Sequence, residues 1–283
     1  MIAITGASGQ LGRLVIEQLL EKLPAGEILA LARDVDKVAD LAARGVQVRA
    51  ADYNQPDSLN AALQGVDKLL LISSSEVGKR TAQHRNVVEA AVRADVGLLA
   101  YTSLLHADSS PLGLAQEHRE TEALIKASGL PYALLRNGWY SENYAASIPV
   151  ALQHGVFIGS AGEGKIASAA RADYAAAAAA VLTQDNQAGK VYELAGDEWY
   201  TLAELAAEVS LQSGKPVSYQ NLPEAEFSAA LVAAGLPQAI ADMLADSDIG
   251  ASRGGLFDDS RQLSRLIGRP TTPLASVVKS AIQ

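Results

Sequence analysis

Residues 2–12 read Ile-Ala-Ile-Thr-Gly-Ala-Ser-Gly-Gln-Leu-Gly: a short apolar run, then glycines at positions 6, 9 and 12. Helical spacing of Leu11, Leu14, Val15 and Leu19 follows at once. A strand that turns on glycines into a helix opens few architectures. One glycine permits the tight turn, one lets backbone approach a pyrophosphate, and one allows close packing of helix on strand. The free N–H groups at the helix start then face negative phosphates, helped by the helix dipole. Gly6, Ala7, Ser8, Gly9, Gln10 and Leu11 are therefore expected to cradle a dinucleotide diphosphate.

The rest of the first half supports this context. Short apolar runs at 2–5, 28–32, 46–50, 68–72, 98–102 and 132–135 alternate with amphipathic stretches at 10–23, 35–43, 58–63, 82–94 and 114–128. The runs are almost continuously apolar, as expected of strands covered by helices on both faces. The pattern predicts an α/β chain with a Rossmann-type, doubly wound parallel sheet. After Arg136 the rhythm changes. A polar and aromatic segment is followed by a glycine-bearing loop at 159–164, an alanine-rich helix at 173–182 and a strand at 190–194. Helices are expected at 202–213, 224–234, 238–245 and 273–282, with a strand at 217–220 and a Gly/Ser/Asp-rich loop at 247–259. The expected organisation is a dinucleotide-binding domain at 1–136, to which about 155–198 returns, and a smaller, mostly helical, substrate-binding lobe formed mainly by 137–283.

Composition narrows the function classes. With no cysteine among 283 residues, thiolate catalysis and zinc–thiolate sites are excluded, and a cytoplasmic location is expected. No signal peptide is expected, since the opening residues are strand-like, and no stretch approaches the roughly twenty apolar residues of a membrane span. His84, His106, His118 and His154 show no metal-ligand spacing, so no metal is expected. A net charge of −9 argues against a nucleic-acid partner, which needs a basic face. The expected partner is a small molecule, and a homodimer is left open.

Which dinucleotide binds depends on the end of the second strand. Arg33 stands about twenty residues past the glycines, where the adenosine ribose is read. An arginine there favours a 2′-phosphate, whereas an acidic residue favours a free 2′-hydroxyl. Asp34 and Asp36 follow immediately, so Arg33 reads either as a phosphate ligand or as a solvated charge, with NADPH favoured over NADH. Asp52 and Tyr53 end the third strand and could contact adenine. Ser73, Ser74 and Ser75 end the fourth, offering small polar groups near the nicotinamide ribose or simply turn chemistry.

The glycine turn, Arg33, Ser73–Ser75 and the segment Leu135-Arg136-Asn137-Gly138-Trp139-Tyr140-Ser141-Glu142-Asn143-Tyr144 together resemble the NmrA-like group of atypical short-chain dehydrogenases. Within that group the chain is similar to bacterial NAD(P)H:quinone oxidoreductases of the second type and to triphenylmethane reductases. The resemblance extends through Tyr101-Thr102-Ser103, the helix around His118 and Glu122, and Gly268-Arg269-Pro270. It implies that Gly6–Leu11, Arg33, Ser73–Ser75, Asn137, Gly138, Trp139, Tyr140, Ser141 and Glu142 line NADPH. It also implies reduction of a quinone without flavin. Because NmrA itself is the group's namesake, a non-catalytic NADP(H)-binding redox sensor is the alternative.

Ordinary short-chain dehydrogenases protonate a carbonyl through a Tyr-x-x-x-Lys pair. Here the nine tyrosines are followed four residues on by Asp57, Leu105, Arg136, Tyr144, Ile148, Ala178, Gly196, Glu204 and Pro223. The acid is missing. A ketone reduced by hydride leaves a strongly basic alkoxide, whereas a quinone leaves a phenolate-like anion whose pKa, about 10, lets water finish the protonation. The absence thus fits quinone reduction, and equally fits no catalysis. Trp139, Tyr140 and Tyr144 concentrate aromatic surface in a chain only 5% aromatic, either stacking on a flat ligand or packing a lobe. Tyr140, Asn143 and Tyr144 are the candidate substrate contacts, and His106 is a candidate proton donor. No catalytic residue is assigned.

Overall fold

Continuous apolar runs need cover on both faces, and the computed structural model, which describes residues 1–283, supplies it. In chain order the elements are β1 (Ile2–Ile4), α1 (Gln10–Leu20), β2 (Ile28–Ala32), α2 (Ala39–Ala43), β3 (Gln47–Ala50), α3 (Pro56–Ala62), β4 (Lys68–Leu71) and α4 (Arg80–Arg93). There follow β5 (Leu98–Leu104), α5 (Ala115–Ala127), β6 (Tyr132–Asn137), α6 (Ser141–Ala145), α7 (Ile148–His154), β7 (Val156–Gly159), α8 (Arg171–Thr183) and β8 (Lys190–Leu194). The chain closes with α9 (Leu202–Ser213), β9 (Ser218–Asn221), α10 (Glu224–Ala233), α11 (Gln238–Ser252), α12 (Gln262–Ile267) and α13 (Leu274–Ile282). No helix is long and apolar enough to cross a membrane.

Two compact units emerge. The first comprises Met1–Leu104, Gln116–Asn137 and Arg171–Tyr192; the second comprises Leu105–Ala115, Gly138–Ala170 and Glu193–Gln283.

The first unit is built on a seven-stranded sheet of order β3-β2-β1-β4-β5-β6-β8. Its pairs β1–β2, β1–β4, β2–β3, β4–β5 and β5–β6 are all parallel, so the expected Rossmann-type doubly wound fold is what the chain adopts. Strand periodicity sorts the side chains by face. Leu29, Leu31, Leu69, Leu71, Leu99, Tyr101 and Leu134 point one way and pack with Leu59, Val87, Ala91 and Ile125 from α3, α4 and α5. Each such buried leucine contributes roughly 1.5–3 kcal/mol by leaving water. On the opposite face α8 packs against α1, β4, β5 and β6. Its alanine run is buried throughout, and small side chains let the helix lie close to the sheet. The order reverses at β1 and β4, which opens a crevice beyond the carboxyl ends of those strands.

In the second unit β7 pairs in parallel with β9, from Val156↔Ser218 to Gly159↔Asn221, and α7 and α9 pack against the pair. The sequence reading departs from the structure here. Residues 247–252, expected as loop, complete α11. The residues that α11 buries there are Ser247, Asp248, Gly250 and Ala251, so the apolar periodicity that announces a helix is absent. Their burial has specific causes. A Cβ at Gly250 would stand 2.7 Å from Leu112 Cδ1, and the Asp248 carboxylate accepts hydrogen bonds from Tyr144 and Ser160. The short helices α6, α7 and α12 and the strand β7 were likewise without a periodic signal, being four to seven residues long.

Candidate cofactor site

The glycine turn sits at the crevice. Gly6 has a φ of +59°, which glycine adopts without steric cost, and its carbonyl accepts from the Gly9 N–H at 2.9 Å. A Cβ at Gly12 would stand 2.4 Å from Gly6 O and 2.9 Å from Ala7 Cα, so only glycine lets α1 come this close to the turn. Gly9 caps α1 without a side-chain hydrogen bond, and no acidic residue occupies the first turn. The N-terminus of this eleven-residue helix therefore keeps its partial positive charge for an anion. Residues and group fit: the turn is a cradle that any larger side chain at position 12 would fill.

A cavity of about 250 Å³ opens beside the turn. Gly6, Ser8 and Gly9 line it together with Arg33, Ser73, Ser74 and Ser75. Ala7 and Leu11 are buried beneath, and Gln10 is exposed as the first residue of α1.

Hydrogen bonds hold the far wall. Thr5 Oγ1 accepts from Ile72 N–H at 2.9 Å and donates to Leu70 O, tying the end of β1 to β4. Ser73 N–H donates to Thr102 Oγ1 of β5 at 2.8 Å. Ser74 N–H donates to His84 Nε2 at 2.9 Å, and Arg80 Nε donates to Ser74 O at 2.6 Å. Because His84 Nε2 accepts, Nδ1 carries the proton and donates to Thr121 Oγ1, 2.9 Å away. Burial, reinforced by the Arg80 charge, pushes the His84 pKa down to about 3, so the ring is neutral. His84 and Thr102 are thus positioning residues that sequence reasoning did not single out. Their pairing spans helix, strand and loop.

Asp52 and Tyr53, the expected adenine neighbours, both line this cavity, and Tyr53 is also tied into its wall. Its hydroxyl lies 2.5 Å from Thr5 Oγ1 and 2.8 Å from Ile72 O, and burial holds its pKa above the ordinary value. Asn54, Glu76 and Gln83 also line the cavity, again unannounced in sequence. Gln83, only 2% exposed, donates to Asn54 Oδ1, while its Oε1 has no partner. Glu76 lies within 3.3 Å of Arg33 and of Lys79.

The segment expected to complete the site divides at the end of β6. Asn137, paired in register with Leu104, is the last residue of β6 and 6% exposed, with its Oδ1 unpartnered. Gly138 to Tyr144 belong to the second unit. There Gly138 N–H donates to Leu194 O, Ala169 N–H donates to Trp139 O, and Ser141 N–H donates to Ala169 O. Ser141 Oγ, Ser168 Oγ and Tyr200 OH form a buried chain with steps of 2.8 and 2.7 Å. Tyr140 caps α6, whose first turn holds Glu142, and Asn143 N–H donates back to Tyr140 O. Tyr144 is buried, its ring centroid 6.5 Å from that of Trp139 and its hydroxyl donating to Asp248 Oδ1 at 3.0 Å. Asp248, itself 3% exposed, has its pKa raised to about 6 by burial.

His106 lies in the same unit with a φ of +50°. Its N–H donates to Glu193 Oε2 at 2.8 Å and its Nε2 lies 3.3 Å from Asp258 Oδ2.

Comparison with known proteins adds to this geometry. The model of an NAD(P)H-binding family matches residues 6–185. Quinone oxidoreductase 2 of Escherichia coli K12 is 66% identical over 98% of this chain and 97% of its own. The crystal structure of the E. coli NADPH-dependent quinone oxidoreductase in complex with NADPH superposes with a TM-score of 0.98 at 64% identity, covering both chains in full. The Citrobacter triphenylmethane reductase complexed with NADP(H) gives 0.96 at 41% identity, over 99% of this chain and 100% of that one. With the glycine turn, the parallel sheet and these matches in hand, the chain belongs to the NAD(P)H-binding family.

Proposed function

We propose that this protein is an NADPH-dependent quinone reductase that transfers two electrons directly, as hydride, to a quinone-type or other electron-poor aromatic acceptor without flavin. The observation that carries the reading is the near-full-length identity of 66% to a quinone oxidoreductase. In this reading Gly6–Leu11, Arg33, Ser73–Ser75, Asn137, Gly138, Trp139, Tyr140, Ser141 and Glu142 hold the cofactor. Tyr140, Asn143 and Tyr144 face the acceptor, Tyr144 through its ring because its hydroxyl is committed to Asp248. The acceptor is the small-molecule partner. A cytoplasmic location and no nucleic-acid partner complete the assignment, which accommodates a homodimer.

NADPH, when bound, supplies the hydride. The chain's own part is to bind and orient. Amides at the start of α1 take the diphosphate, and Arg33 takes the 2′-phosphate. Thr102 and His84 fix the backbone of the Ser73–Ser75 wall through its N–H groups, so the wall is set before the ligand arrives. No group acts as a positioned acid, and none is required. Quinone plus hydride plus one proton from water gives hydroquinone, and the anion formed first is no more basic than a phenolate, with a pKa of about 10.

Stopped-flow mixing of NADPH with a benzoquinone tests this. The expected result is one NADPH oxidised per quinone consumed, with no flavin added. Tight NADPH binding without oxidation across a panel of quinones overturns it and leaves the redox-sensor alternative.

A further inference from the structure

The cofactor reading leaves one buried atom of the first unit unexplained. Gln83 is 2% exposed and lines the cavity with Arg33, Asn54 and Glu76, yet its Oε1 has no hydrogen-bond partner. Buried acceptors in folded proteins are met by a donor in the great majority of cases, so an orphan on a ligand cavity points to the ligand. We propose that Gln83 Oε1 reads the base of the nucleotide by accepting from the exocyclic amino group of adenine, and so selects adenine over a 6-oxopurine. The inference rests on the NADPH reading and names a residue that gives that site its base specificity.

A chain of partners fixes which end of the Gln83 amide is left over. A carboxylate only accepts, so the Asn54 atom 3.2 Å from Asp52 Oδ1 is Nδ2, which donates. Asn54 Oδ1 is then an acceptor, and the Gln83 atom 3.2 Å from it is Nε2. Glu76 makes the same demand, because its carboxylate accepts from Gln83. Both neighbours require the amide nitrogen, and a flipped Gln83 would set oxygen against oxygen twice. Oε1 is therefore the orphan. The side chain is held in place by α4, one residue before His84, whose ring joins Ser74 to Thr121.

Position and chemistry agree on the base. Glu76 lies 3.3 Å from Arg33 and hydrogen-bonds Gln83, so one carboxylate separates the 2′-phosphate ligand from this amide. In NADPH the 2′-phosphate and the adenine are carried by adjacent carbons of one ribose. A nucleotide whose phosphate meets Arg33 thus brings its base within reach of Gln83. Asp52, the other acceptor expected near adenine, is turned to its own loop. Its Oδ1 accepts from Asn54 N–H at 2.9 Å and from Asn54 Nδ2, and its Oδ2 lies 3.4 Å from Gln55 Nε2. Adenine carries N–H donors at carbon 6, which satisfy Oε1. Hypoxanthine and guanine carry a carbonyl there, and two acceptors facing each other leave both unpaired.

The experiment titrates the full chain calorimetrically with NADPH and with reduced nicotinamide hypoxanthine dinucleotide phosphate, which differs only in its base, where a carbonyl replaces the amino group. Wild type should bind NADPH about five- to fiftyfold more tightly, the worth of one buried hydrogen bond and of the acceptor left unpaired without it. Gln83→Leu should weaken NADPH and leave the hypoxanthine nucleotide unchanged or tighter, bringing the two within about twofold. Gln83→Met, similar in length and without the amide, repeats the measurement if the leucine variant does not fold. Equal affinities in wild type, or a preference for adenine that survives the substitution, overturn the role of Gln83 and leave the NADPH reading intact. A wild-type chain that binds neither nucleotide removes the NADPH reading and this inference with it.

Discussion

Arg33 and Glu76 face each other at the cavity, guanidinium to carboxylate at 3.3 Å, and the second Glu76 oxygen lies 3.3 Å from Lys79 Nζ. Hydrogen bonds from Gln83 and Lys79, with the nearby Arg33 charge, hold the Glu76 carboxyl below its ordinary range. A 2′-phosphate bound by Arg33 would therefore share it with a fixed negative charge. Arg33→Ala should weaken NADPH binding by roughly ten- to a hundredfold, the worth of a charge-assisted hydrogen bond, with NADH nearly unaffected. Glu76→Gln should tighten NADPH by roughly two- to fivefold and leave NADH unchanged. Calorimetric titration of both nucleotides checks this; equal losses for the two in Arg33→Ala contradict the role given to Arg33.

Gly12 allows no substitute. Its Cβ position is 2.4 Å from a backbone oxygen and 2.9 Å from a backbone carbon, neither of which can swing aside. Gly12→Ala should destabilise the protein by about 1–3 kcal/mol, the cost of overpacking, and lower NADPH affinity at least tenfold by shifting the turn. Urea unfolding and nucleotide titration report the two effects separately. Unchanged affinity in a folded variant would show that the turn does not grip the diphosphate.

The parts of the site that sequence reveals are those whose signal is local. Gly6, Gly9 and Gly12 announce the turn because only glycine tolerates its φ and its close approach. Arg33 and Ser73–Ser75 are found by counting to strand ends, since parallel sheets bind ligands there. The groups that went unseen act through partners remote in sequence. His84 reads as an ordinary helical residue until Ser74 and Thr121 close around it. Asp248 reads as part of a polar loop until Tyr144 and Ser160 are found on its two oxygens.

His84 links wall geometry to pH. Its folded pKa, about 3, lies below the ordinary 6.5, so its contribution is complete above pH 6.5 and is lost as pH falls toward 3. Between pH 7 and pH 4 that loss is about 3 kcal/mol. His84→Leu removes the acceptor for Ser74 N–H, costing about 1–3 kcal/mol at pH 7 and loosening the wall, so NADPH should bind more weakly. The stability gap between wild type and variant should then narrow as pH falls, since only wild type must keep this ring neutral. His118, also lowered to about 3 by burial, leaves residual acid sensitivity in both proteins. Urea midpoints at pH 7 and pH 4.5 measure the gap, and a constant one would refute the neutral buried ring.

Asp248 responds in the opposite sense. Burial raises its pKa from the ordinary 3.8 to about 6, against the opposing hydrogen bonds from Ser160 and Tyr144. A raised folded pKa means stability that is fully present below pH 3.8 and is lost as pH rises through 6. The full change is worth about 3 kcal/mol. Asp248→Asn keeps an acceptor oxygen for one donor but cannot ionise, so it should be destabilised relative to wild type at pH 4.5 and recover relative to it by pH 7.5. Removing the hydroxyl partner alone, in Tyr144→Phe, should raise the Asp248 pKa further and move the wild-type transition toward higher pH. Denaturation midpoints for the three proteins from pH 4.5 to 7.5 decide it: parallel curves would mean that Asp248 stays ionised throughout, its charge carried by groups other than Tyr144 and Ser160.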